Sequence, residues 1–210
     1  MIGLTTLLGS AQLAAQEGLR AAATLQHGGM IVPNILTISL RQNQFVAEWK
    51  GEPSEQIERF RLAIARGIAE FIEANRWQIG GFGRLVINLL LTDIETACRV
   101  DVLLRRKLYS CILHDSAGEH TVSVRQGEVV VGRDHSNPPP AFIPLRDDAR
   151  QLSRKHLHLR YRDLQLHAQL LGHNPTTVNG IEMGTEPVAL SEGDELACGG
   201  CQIQIAELLQ

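Results

Sequence analysis

Hydrophobic and polar residues follow two different patterns along the chain, and the change falls near Lys107. Before this point helical and strand periodicities are mixed, whereas after it short alternating stretches follow one another with frequent turn residues. The pattern predicts an α+β domain over residues 1–106, followed by an all-β sandwich over residues 107–210. A length of 210 residues exceeds what one such sandwich needs, and a hydrophobic fraction of 44% is sufficient for two cores.

The first half predicts the element order α, β, α, β, β. Residues 9–26 are rich in Leu and Ala and are followed by His27 and two glycines, a pattern typical of a helix and its end. A second helix is expected after Ser54, the predicted N-cap, because apolar residues recur at helical spacing: Ile57, Phe60, Ile64, Ile68 and Phe71. Alternating stretches predict strands at residues 35–40, 85–91 and 97–104.

The second half consists of short strands separated by turn residues. Strands are expected at residues 108–113, 121–124 and 129–133, and a last strand at residues 202–205. Between them, apolar residues alternate with polar ones, which predicts two core-facing sets: Leu157, Leu159 and Tyr161, then Leu164, Leu166, Ala168 and Leu170. The predicted core is aliphatic, so the loops are expected to carry the chemistry.

The charge pattern narrows the class of partner. The chain has a net charge of -3 with acidic and basic residues interspersed, so no broad basic surface is expected to bind a nucleic-acid backbone. No apolar run reaches the roughly 18 to 20 residues of a membrane span. The first residues, Met1 to Leu4, have no basic residue before them and no cleavage pattern of a signal peptide. The sequence therefore predicts a cytoplasmic protein whose partners are other proteins.

The cysteines give a weak metal signal and a stronger turn signal. Of the 4 cysteines, only Cys198 and Cys201 have ligand-like spacing, and no second pair occurs at a matching interval. Because a structural zinc site needs four ligands, no metal is predicted. Gly199 and Gly200 suit a tight hairpin turn, since glycine readily adopts positive φ. The two cysteines are therefore expected to flank a hairpin turn, with their thiols kept reduced in the cytosol.

Three short motifs follow one another in the second half at intervals that fit the loops of one β-domain. They are Gly132-Arg133, then Ser153-Arg154-Lys155-His156, then residues 174–180 with the sequence Asn-Pro-Thr-Thr-Val-Asn-Gly. Their order and spacing resemble the forkhead-associated (FHA) domain, a module that binds phosphothreonine. The resemblance covers residues 107–210 and implies an FHA β-sandwich that acts as a phosphopeptide-binding adaptor, not as an enzyme, and needs no cofactor.

The resemblance assigns binding roles to residues of these motifs. A phosphothreonine has a charge of about -1.5 to -2 and three acceptor oxygens, so its receptor needs fixed donors and a cation. Arg133 matches the family's arginine, whose planar fork can bind two phosphate oxygens or brace the loops around them. Ser153 and Arg154 match the serine hydroxyl and the neighbouring residue that also contact the phosphate. Asn174 matches the asparagine whose amide hydrogen-bonds the backbone of an extended peptide.

Other positions of the motifs depart from the family pattern or support the site. His173 stands where a Thr or Ser more often helps to hold the phosphate, so it is included among the predicted binding residues, and Pro175 replaces the usual glycine. The resemblance implies structural support from Gly132, His156 and Asn179. Of these, His156 is expected to tie its own loop to the loop that carries Asn174.

The first half also contains features of a known domain. Over about residues 15–104 these are a Leu/Ala helix, Val32-Pro33-Asn34 at the start of a strand, and an amphipathic helix that ends in Trp77-Gln78-Ile79-Gly80. They resemble the N-terminal domain of bacterial FHA adaptor proteins of the FhaA type, although the long linker of that architecture is missing. The two resemblances imply bacterial Ser/Thr kinase signalling, with a threonine-phosphorylated protein, either such a kinase or its substrate, as partner.

Two alternatives place the function elsewhere. Residues 80–83, Gly-Gly-Phe-Gly, are similar to the Gly-x-x-Gly loop with which KH domains bind nucleic acid, but only Arg76 and Arg84 are nearby, so nucleic acid is not favoured. An FHA fold could also serve as a scaffold that does not bind phosphate.

Two further hypotheses concern single side chains. The proximity of Ser153 and His156 would suit nucleophilic catalysis, but no third orienting acid can be placed. Thr5 and Thr6 are candidate phosphorylation sites that could occupy the chain's own FHA domain.

Overall fold

A computed structural model describes residues 6–26, 29–50, 52–81 and 83–209 of the protein. The chain forms two compact units, Met1–Arg106 and Lys107–Gln210. No helix among the described residues is long and apolar enough to cross a membrane.

The first unit is an α+β domain, as predicted. In chain order its described elements are α1 (Leu7–Ala22), β1 (Thr24–Gln26), β2 (Gly29–Val32), β3 (Ile35–Arg41), α2 (Gln42–Glu48), α3 (Pro53–Ala74), β4 (Gln78–Ile79), β5 (Val86–Thr92) and β6 (Cys98–Leu103). Strand β3 is central in a three-stranded sheet, where it is parallel to β5 and antiparallel to β6. The short strands β1, β2 and β4 form a second sheet.

Two apolar helix stripes build the core of the first unit. Every fourth residue of α1 is buried, namely Leu7, Ala11, Ala15 and Leu19, and α3 buries Phe60, Ile64 and Ile68 in the same way. These side chains form one cluster with Leu36, Ile38 and Leu40 of β3. The predicted stripe of α3 is thus confirmed at its centre.

Two helix boundaries differ from the prediction. Helix α3 begins at Pro53, with Glu52 at the N-cap position and no side-chain capping bond, so Ser54 is not the N-cap. Proline is favoured in the first helical turn because its φ is already fixed and it has no N–H to satisfy. Helix α1 ends at Ala22, because residues 24–26 pair with β2 as strand β1. The predicted helix end at residues 27–28 lies outside the described residues.

The second unit is a sandwich of two sheets. Its described strands are β7 (Tyr109–Asp115), β8 (Gly118–Val124), β9 (Glu128–Arg133), β10 (Phe142–Leu145), β11 (Leu157–Arg162), β12 (Gln165–Leu170), β13 (Thr176–Val178), β14 (Ile181–Glu182), β15 (Val188–Leu190), β16 (Glu195–Cys198) and β17 (Cys201–Leu208). One sheet has the order β10-β9-β11-β12-β15 and the other β14-β13-β16-β17-β7-β8. Leu157, Leu159 and Tyr161 alternate into the core as predicted.

Two tight turns differ in how well the sequence predicts them: glycines indicate the first, whereas the alternation of apolar residues is misleading at the second. Gly199 and Gly200 have φ values of 56° and 82° between β16 and β17, which confirms the predicted hairpin. Asp163 and Leu164 have φ values of 52° and 63° between β11 and β12. The placement of Leu164 on the strand face is therefore wrong, because Arg162 and Gln165 close the ladder around this two-residue turn.

The two ends of the sandwich unit lie side by side. The N–H of Leu209 donates to the carbonyl of Leu108 at 3.0 Å, and Tyr161 donates its hydroxyl to the carbonyl of Leu209 at 2.9 Å. Lys107 also forms an ion pair with Glu207. Strand β17, which is longer than predicted, pairs with β7 along most of its length and connects the two ends.

Candidate functional site

Three loops of the sandwich are joined to one another by hydrogen bonds to backbone carbonyls. Arg133, at the end of β9, donates its N–H to the carbonyl of Ser153 at 3.0 Å. The Asn174 side chain, between β12 and β13, donates to the carbonyl of Gln151. The segment just after β12 is fixed as well, because the N–H of Gly172 donates to the carbonyl of His156 at 3.0 Å. The three motifs of the sequence therefore lie on connected loops.

Gly132 allows the first two of these loops to approach closely. A Cβ added at this position would lie 2.7 Å from the carbonyl carbon of Arg154 and 2.9 Å from the carbonyl oxygen of Ser153. Any side chain here would push the loop of Ser153 away from the end of β9. The register of Arg133 beside Ser153 thus requires glycine at the preceding position.

Arg133 has an unusual environment for a structural arginine. The residue is half-buried, and within the described part of the chain its Nε has no hydrogen-bond partner and is shielded from solvent. A buried guanidinium N–H without an acceptor is unfavourable, so such groups are rare in folded proteins. The Nε donor of Arg133 thus lacks an acceptor within the described residues, next to the loop of Ser153.

His156 holds the loops together through both ring nitrogens. Its side chain is fully buried, and Nε2 lies 2.8 Å from the hydroxyl oxygen of Thr176 on β13. Nδ1 accepts the N–H of Ser153 at 3.4 Å, which assigns the ring proton to Nε2 as donor to Thr176. Burial lowers the pKa of His156, and this outweighs the opposing effect of the Asp147 carboxylate. The imidazole is therefore a neutral structural link, with Nδ1 bonded to the backbone of Ser153 and Nε2 to the hydroxyl of Thr176.

Asp147 and Leu152 were not found by sequence reasoning, and both order the loop before Ser153. The Asp147 side chain is buried and accepts the N–H of Leu152, while its carbonyl accepts the N–H of Arg150 at 3.1 Å. Leu152 is 2% exposed and anchors the loop in the core. A single leucine in an otherwise polar loop was the available sequence signal. This loop is held from within before any ligand arrives.

The other predicted binding residues are exposed. Arg154, His173 and Asn174 all lie at the surface, as does Pro175. The amide nitrogen of Asn174 donates to the carbonyl of Gln151, and its oxygen can accept a peptide N–H.

Asn179 lies in the turn after β13 and braces a different part of the unit. Its φ is 52°, its side-chain nitrogen donates to Asp194 at 2.8 Å, and its side-chain oxygen accepts the N–H of Glu195 at 3.0 Å. Asp194 in turn accepts the N–H of Ser191 at 2.6 Å. These contacts are those of a structural residue, and the effect of Asn179 on ligand binding stays a prediction.

The histidines near this site make contacts with other protein side chains. His158 lies 3.6 Å from the Glu128 carboxylate, whereas the buried His156 is bonded to Thr176. Among the residues that the structure describes, no group of three or more His, Cys, Asp or Glu side chains could hold a metal ion.

The glycine-rich loop of the first unit is also explained by packing. A Cβ added at Gly81, where φ is 63°, would lie 2.7 Å from the side-chain nitrogen of Asn34. Asn34 itself is bonded in both directions to the backbone of Arg105, at 3.0 and 2.8 Å. The close approach and the positive φ account for glycine at this position without a nucleic acid. Phe82 of the same loop lies outside the described residues.

Of the two candidate phosphorylation sites, Thr5 lies outside the described residues. Thr6 caps α1 by accepting the N–H of Gly9 at 3.2 Å.

Comparison with known families identifies the second unit. Residues 129–199 match the family model described as the FHA domain. The chain contains an FHA domain. The matched residues run from β9 to the turn between β16 and β17 and include all three motifs that position the loops. A comparison with curated proteins gives no significant match.

Solved FHA domains are similar to parts of the chain. The FHA domain of FhaA, solved in complex with the intracellular domain of another protein, is 28% identical, with a TM-score of 0.38, and the match covers 46% of this chain and 97% of that chain. An FHA domain from Chlamydia trachomatis is 22% identical, with a TM-score of 0.40, over 49% of this chain and 97% of that chain. An FHA domain from Arabidopsis thaliana is 22% identical, with a TM-score of 0.41, over 49% of this chain and 88% of that chain. The resemblance of residues 1–106 to the N-terminal domain of FhaA-type proteins is not confirmed and stays a prediction.

Proposed function

We propose that the protein is an adaptor whose FHA domain binds a threonine-phosphorylated segment of a partner protein at the rim that contains Arg133, Ser153, Arg154 and Asn174. The observation that carries the proposal is the buried Arg133 Nε, which has no acceptor within the described residues. A phosphate oxygen would supply that acceptor. Hydrogen bonds between a guanidinium and an anion are about twice as strong as neutral ones, so filling this position is strongly favourable.

The neighbouring loop supplies the other donors that a phosphate requires. The loop of Ser153 is held beside Arg133 by the backbone bond of 3.0 Å, and Arg154 extends from the same loop into solvent. A phosphothreonine has a charge of about -1.5 to -2 at neutral pH, so two arginines and a hydroxyl match both its charge and its three acceptor oxygens. In this assignment Arg133 is the buried anchor and Arg154 the exposed second cation.

Asn174 fixes the direction of the peptide. Its amide nitrogen is bonded to Gln151, and its oxygen is available to accept a backbone N–H of the ligand. Because Gln151 belongs to the loop that carries Ser153, the phosphate contact and the backbone contact are made by one connected structure. An extended segment with phosphothreonine is the ligand that fits this arrangement, and His173, exposed beside Asn174, is a further candidate contact.

The partner follows from the ligand chemistry. A threonine-phosphorylated segment is produced by a Ser/Thr kinase, so the partner is either that kinase in its autophosphorylated form or one of its substrates. The protein would then bring this partner to whatever the first unit binds, in bacterial kinase signalling.

The proposal is tested by fluorescence-anisotropy titration against an oriented phosphothreonine peptide library, with unphosphorylated and phosphoserine peptides alongside. Loss of a buried charge partner costs about 2 to 5 kcal/mol, so Arg133→Ala should weaken binding by about 30-fold or more. Arg160→Ala is the matched control, because it removes an exposed arginine that is paired with Glu128 on another surface of the domain. Absence of binding to every phosphopeptide by the wild-type protein would leave an FHA scaffold and overturn the proposal.

A further inference from the structure

Cys198 and Cys201 face each other at the end of a β-hairpin. They are direct register partners of β16 and β17, and only Gly199 and Gly200 lie between them. Directly opposed residues of an antiparallel pair have Cα atoms about 4.5 to 5.5 Å apart. A disulfide requires a Cα separation of about 4.4 to 6.8 Å. The backbone of the hairpin therefore already has the spacing that a disulfide between its two ends requires.

The two side chains also lie on the same face of the sheet. Cys198 is 2% exposed and Cys201 is 3% exposed, and they continue the core-facing rows of Leu196 and Ile203. Both thiols are free in this structure. Burial raises the pKa of Cys198 to about 12, and the charge of a Cys201 thiolate contributes in the same direction. The two cysteines therefore have both the backbone spacing and the shared sheet face that a disulfide requires.

This hairpin supports the loop that carries the proposed phosphate contacts. A Cβ at Gly199 would lie 3.1 Å from the Leu152 side chain and 3.2 Å from the carbonyl carbon of Gln151. The Cys201 thiol donates to the carbonyl of Arg146 at 3.6 Å, near the start of the same loop. Gln151 is the residue that holds Asn174. A change at the two cysteines would therefore act on both ends of the loop.

We propose that Cys198 and Cys201 form a reversible disulfide, and that this bond lowers the affinity of the FHA domain for its phosphopeptide. The second part of this statement rests on the proposed function, whereas the first does not. Oxidation removes the S–H of Cys201 that donates to the carbonyl of Arg146, so the loop that begins there loses this contact. The loop that presents Ser153 would lose part of its support.

The oxidant is a low-molecular-weight disulfide such as glutathione disulfide. Cys201 loses its proton to water, and its thiolate attacks one sulfur of the glutathione disulfide, which forms a mixed disulfide and releases one glutathione thiolate. Cys198 loses its proton to water and attacks the Cys201 sulfur, which forms the protein disulfide and releases a second glutathione. Two protein thiols are oxidised and one glutathione disulfide is reduced. Cys201 reacts first when local opening exposes the hairpin end, because burial raises its pKa less than that of Cys198, to about 11 instead of about 12.

Binding and oxidation must affect each other equally. If the disulfide lowers the affinity for the phosphopeptide by a given factor, the phosphopeptide opposes formation of the disulfide by the same factor. Coupled sites typically differ by about 5-fold to 150-fold in affinity. Since the contacts involve loop support and not the ligand itself, we expect an effect on the order of 5-fold to 10-fold.

The experiment uses the full chain, equilibrated in glutathione buffers of increasing oxidised fraction, then alkylated and digested with trypsin. Residues 163–210 contain no Lys or Arg, so one tryptic peptide holds Cys198 and Cys201 and no other cysteine. We expect this peptide to lose two hydrogens and escape alkylation in oxidising buffer. In the same buffers, phosphopeptide affinity should fall about 5-fold or more. Cys201→Ser keeps a donor for Arg146 but cannot form the bond, so its affinity should not respond, whereas Cys98→Ser should respond as wild type does.

The outcomes separate this inference from the proposed function. Full alkylation of both cysteines in every buffer would overturn the disulfide. A disulfide that leaves the affinity within twofold of the reduced protein would overturn the coupling. Failure of the reduced protein to bind any phosphopeptide would overturn the proposed function and with it the coupling, while the peptide map would still decide whether the disulfide forms.

Discussion

Arg61 in the first unit and Arg133 in the FHA domain are both largely removed from solvent, yet their donors are used differently. Arg61 on α3 is paired with Glu58 at 3.2 Å and donates to the carbonyl of Ile87 on β5. Arg133 has a buried Nε with no acceptor among the described residues. A guanidinium whose donors are satisfied by its own fold stabilises that fold. One whose donor is left open can be completed by a ligand, which is the role proposed for Arg133.

The largest expected effect is an opposite response of the two arginines. Arg133→Ala should reduce phosphopeptide affinity by about 2 to 5 kcal/mol while changing the free energy of unfolding by less than about 1 kcal/mol. Arg61→Ala should leave affinity unchanged and destabilise the first unit by about 1 to 3 kcal/mol, because the carbonyl of Ile87 loses its partner. Anisotropy titration and urea unfolding of both variants measure this. The comparison fails if Arg133→Ala unfolds the domain or Arg61→Ala abolishes binding.

Asn34 in the first unit and Asn179 in the FHA domain extend the comparison of the two units to the free energy of unfolding. Asn34 is fully buried, and both its side-chain polar atoms are bonded to Arg105, so Asn34→Ala should cost about 2 to 3 kcal/mol. Asn179 makes a similar pair of bonds at an exposed position, so Asn179→Ala should cost only about 1 kcal/mol. Asn179→Gly, which retains the positive φ but not the bonds, separates the two contributions. Chemical denaturation is the measurement, and equal losses at both positions would contradict the role assigned to burial.

A glycine substitution tests how closely the binding loops must approach. Gly132→Ala forces the Ser153 loop away from the end of β9, and overpacking of this kind costs about 1 to 3 kcal/mol in stability. Affinity should fall as well, since Arg133 and Ser153 separate. Gly184→Ala is the control, because a Cβ there would meet no atom within 4 Å. Wild-type affinity in Gly132→Ala would show that the close approach is not needed for binding.

The smallest effect concerns pH. Burial lowers the pKa of His156 in the folded protein, so the unfolded chain binds a proton at a higher pH than the folded chain does. His156 therefore contributes stability that is present above its unfolded pKa of about 6.5 and is lost as the pH falls below it. The loss cannot exceed about 1.4 kcal/mol per pH unit. Urea unfolding between about pH 7.5 and pH 5.5 should show a shallower pH dependence for His156→Gln than for wild type. His173→Gln, which removes an exposed imidazole, is the matched control and should keep the wild-type slope.

Much of the fold could be predicted from local patterns. The stripe of α3, the alternation of β11 and the Gly199-Gly200 turn each depend on residues close in sequence. Predictions failed where two local signals competed or where a distant strand decided the outcome. Pro53 and Ser54 both suit a helix start, and the proline prevailed. Residues 24–26 became a strand because β2 lies beside them.

The candidate site could be predicted only in part. The motif spacing indicated Arg133 and Ser153, but the missing acceptor at the Arg133 Nε and the backbone bond to Ser153 are visible only in the structure. Likewise, Asp147 has no sequence feature that distinguishes it from Asp148, and only the hydrogen bond to Leu152 identifies its role. The support of Gln151 and Leu152 by Gly199 joins positions almost fifty residues apart, which no local pattern records.

The backbone hydrogen bond between Leu108 and Leu209 makes the FHA domain suitable for transfer into another protein. Because the incoming and outgoing chain are adjacent, the domain can be inserted into a surface loop of a host protein with little separation of the loop's ends. For the same reason residues 108 and 209 could be joined by a short linker and new ends opened at an exposed hairpin tip, such as the one at Ser116 and Ala117. A circularly permuted domain of this kind would allow a fluorescent reporter to be placed on the sandwich without extending either end of the chain.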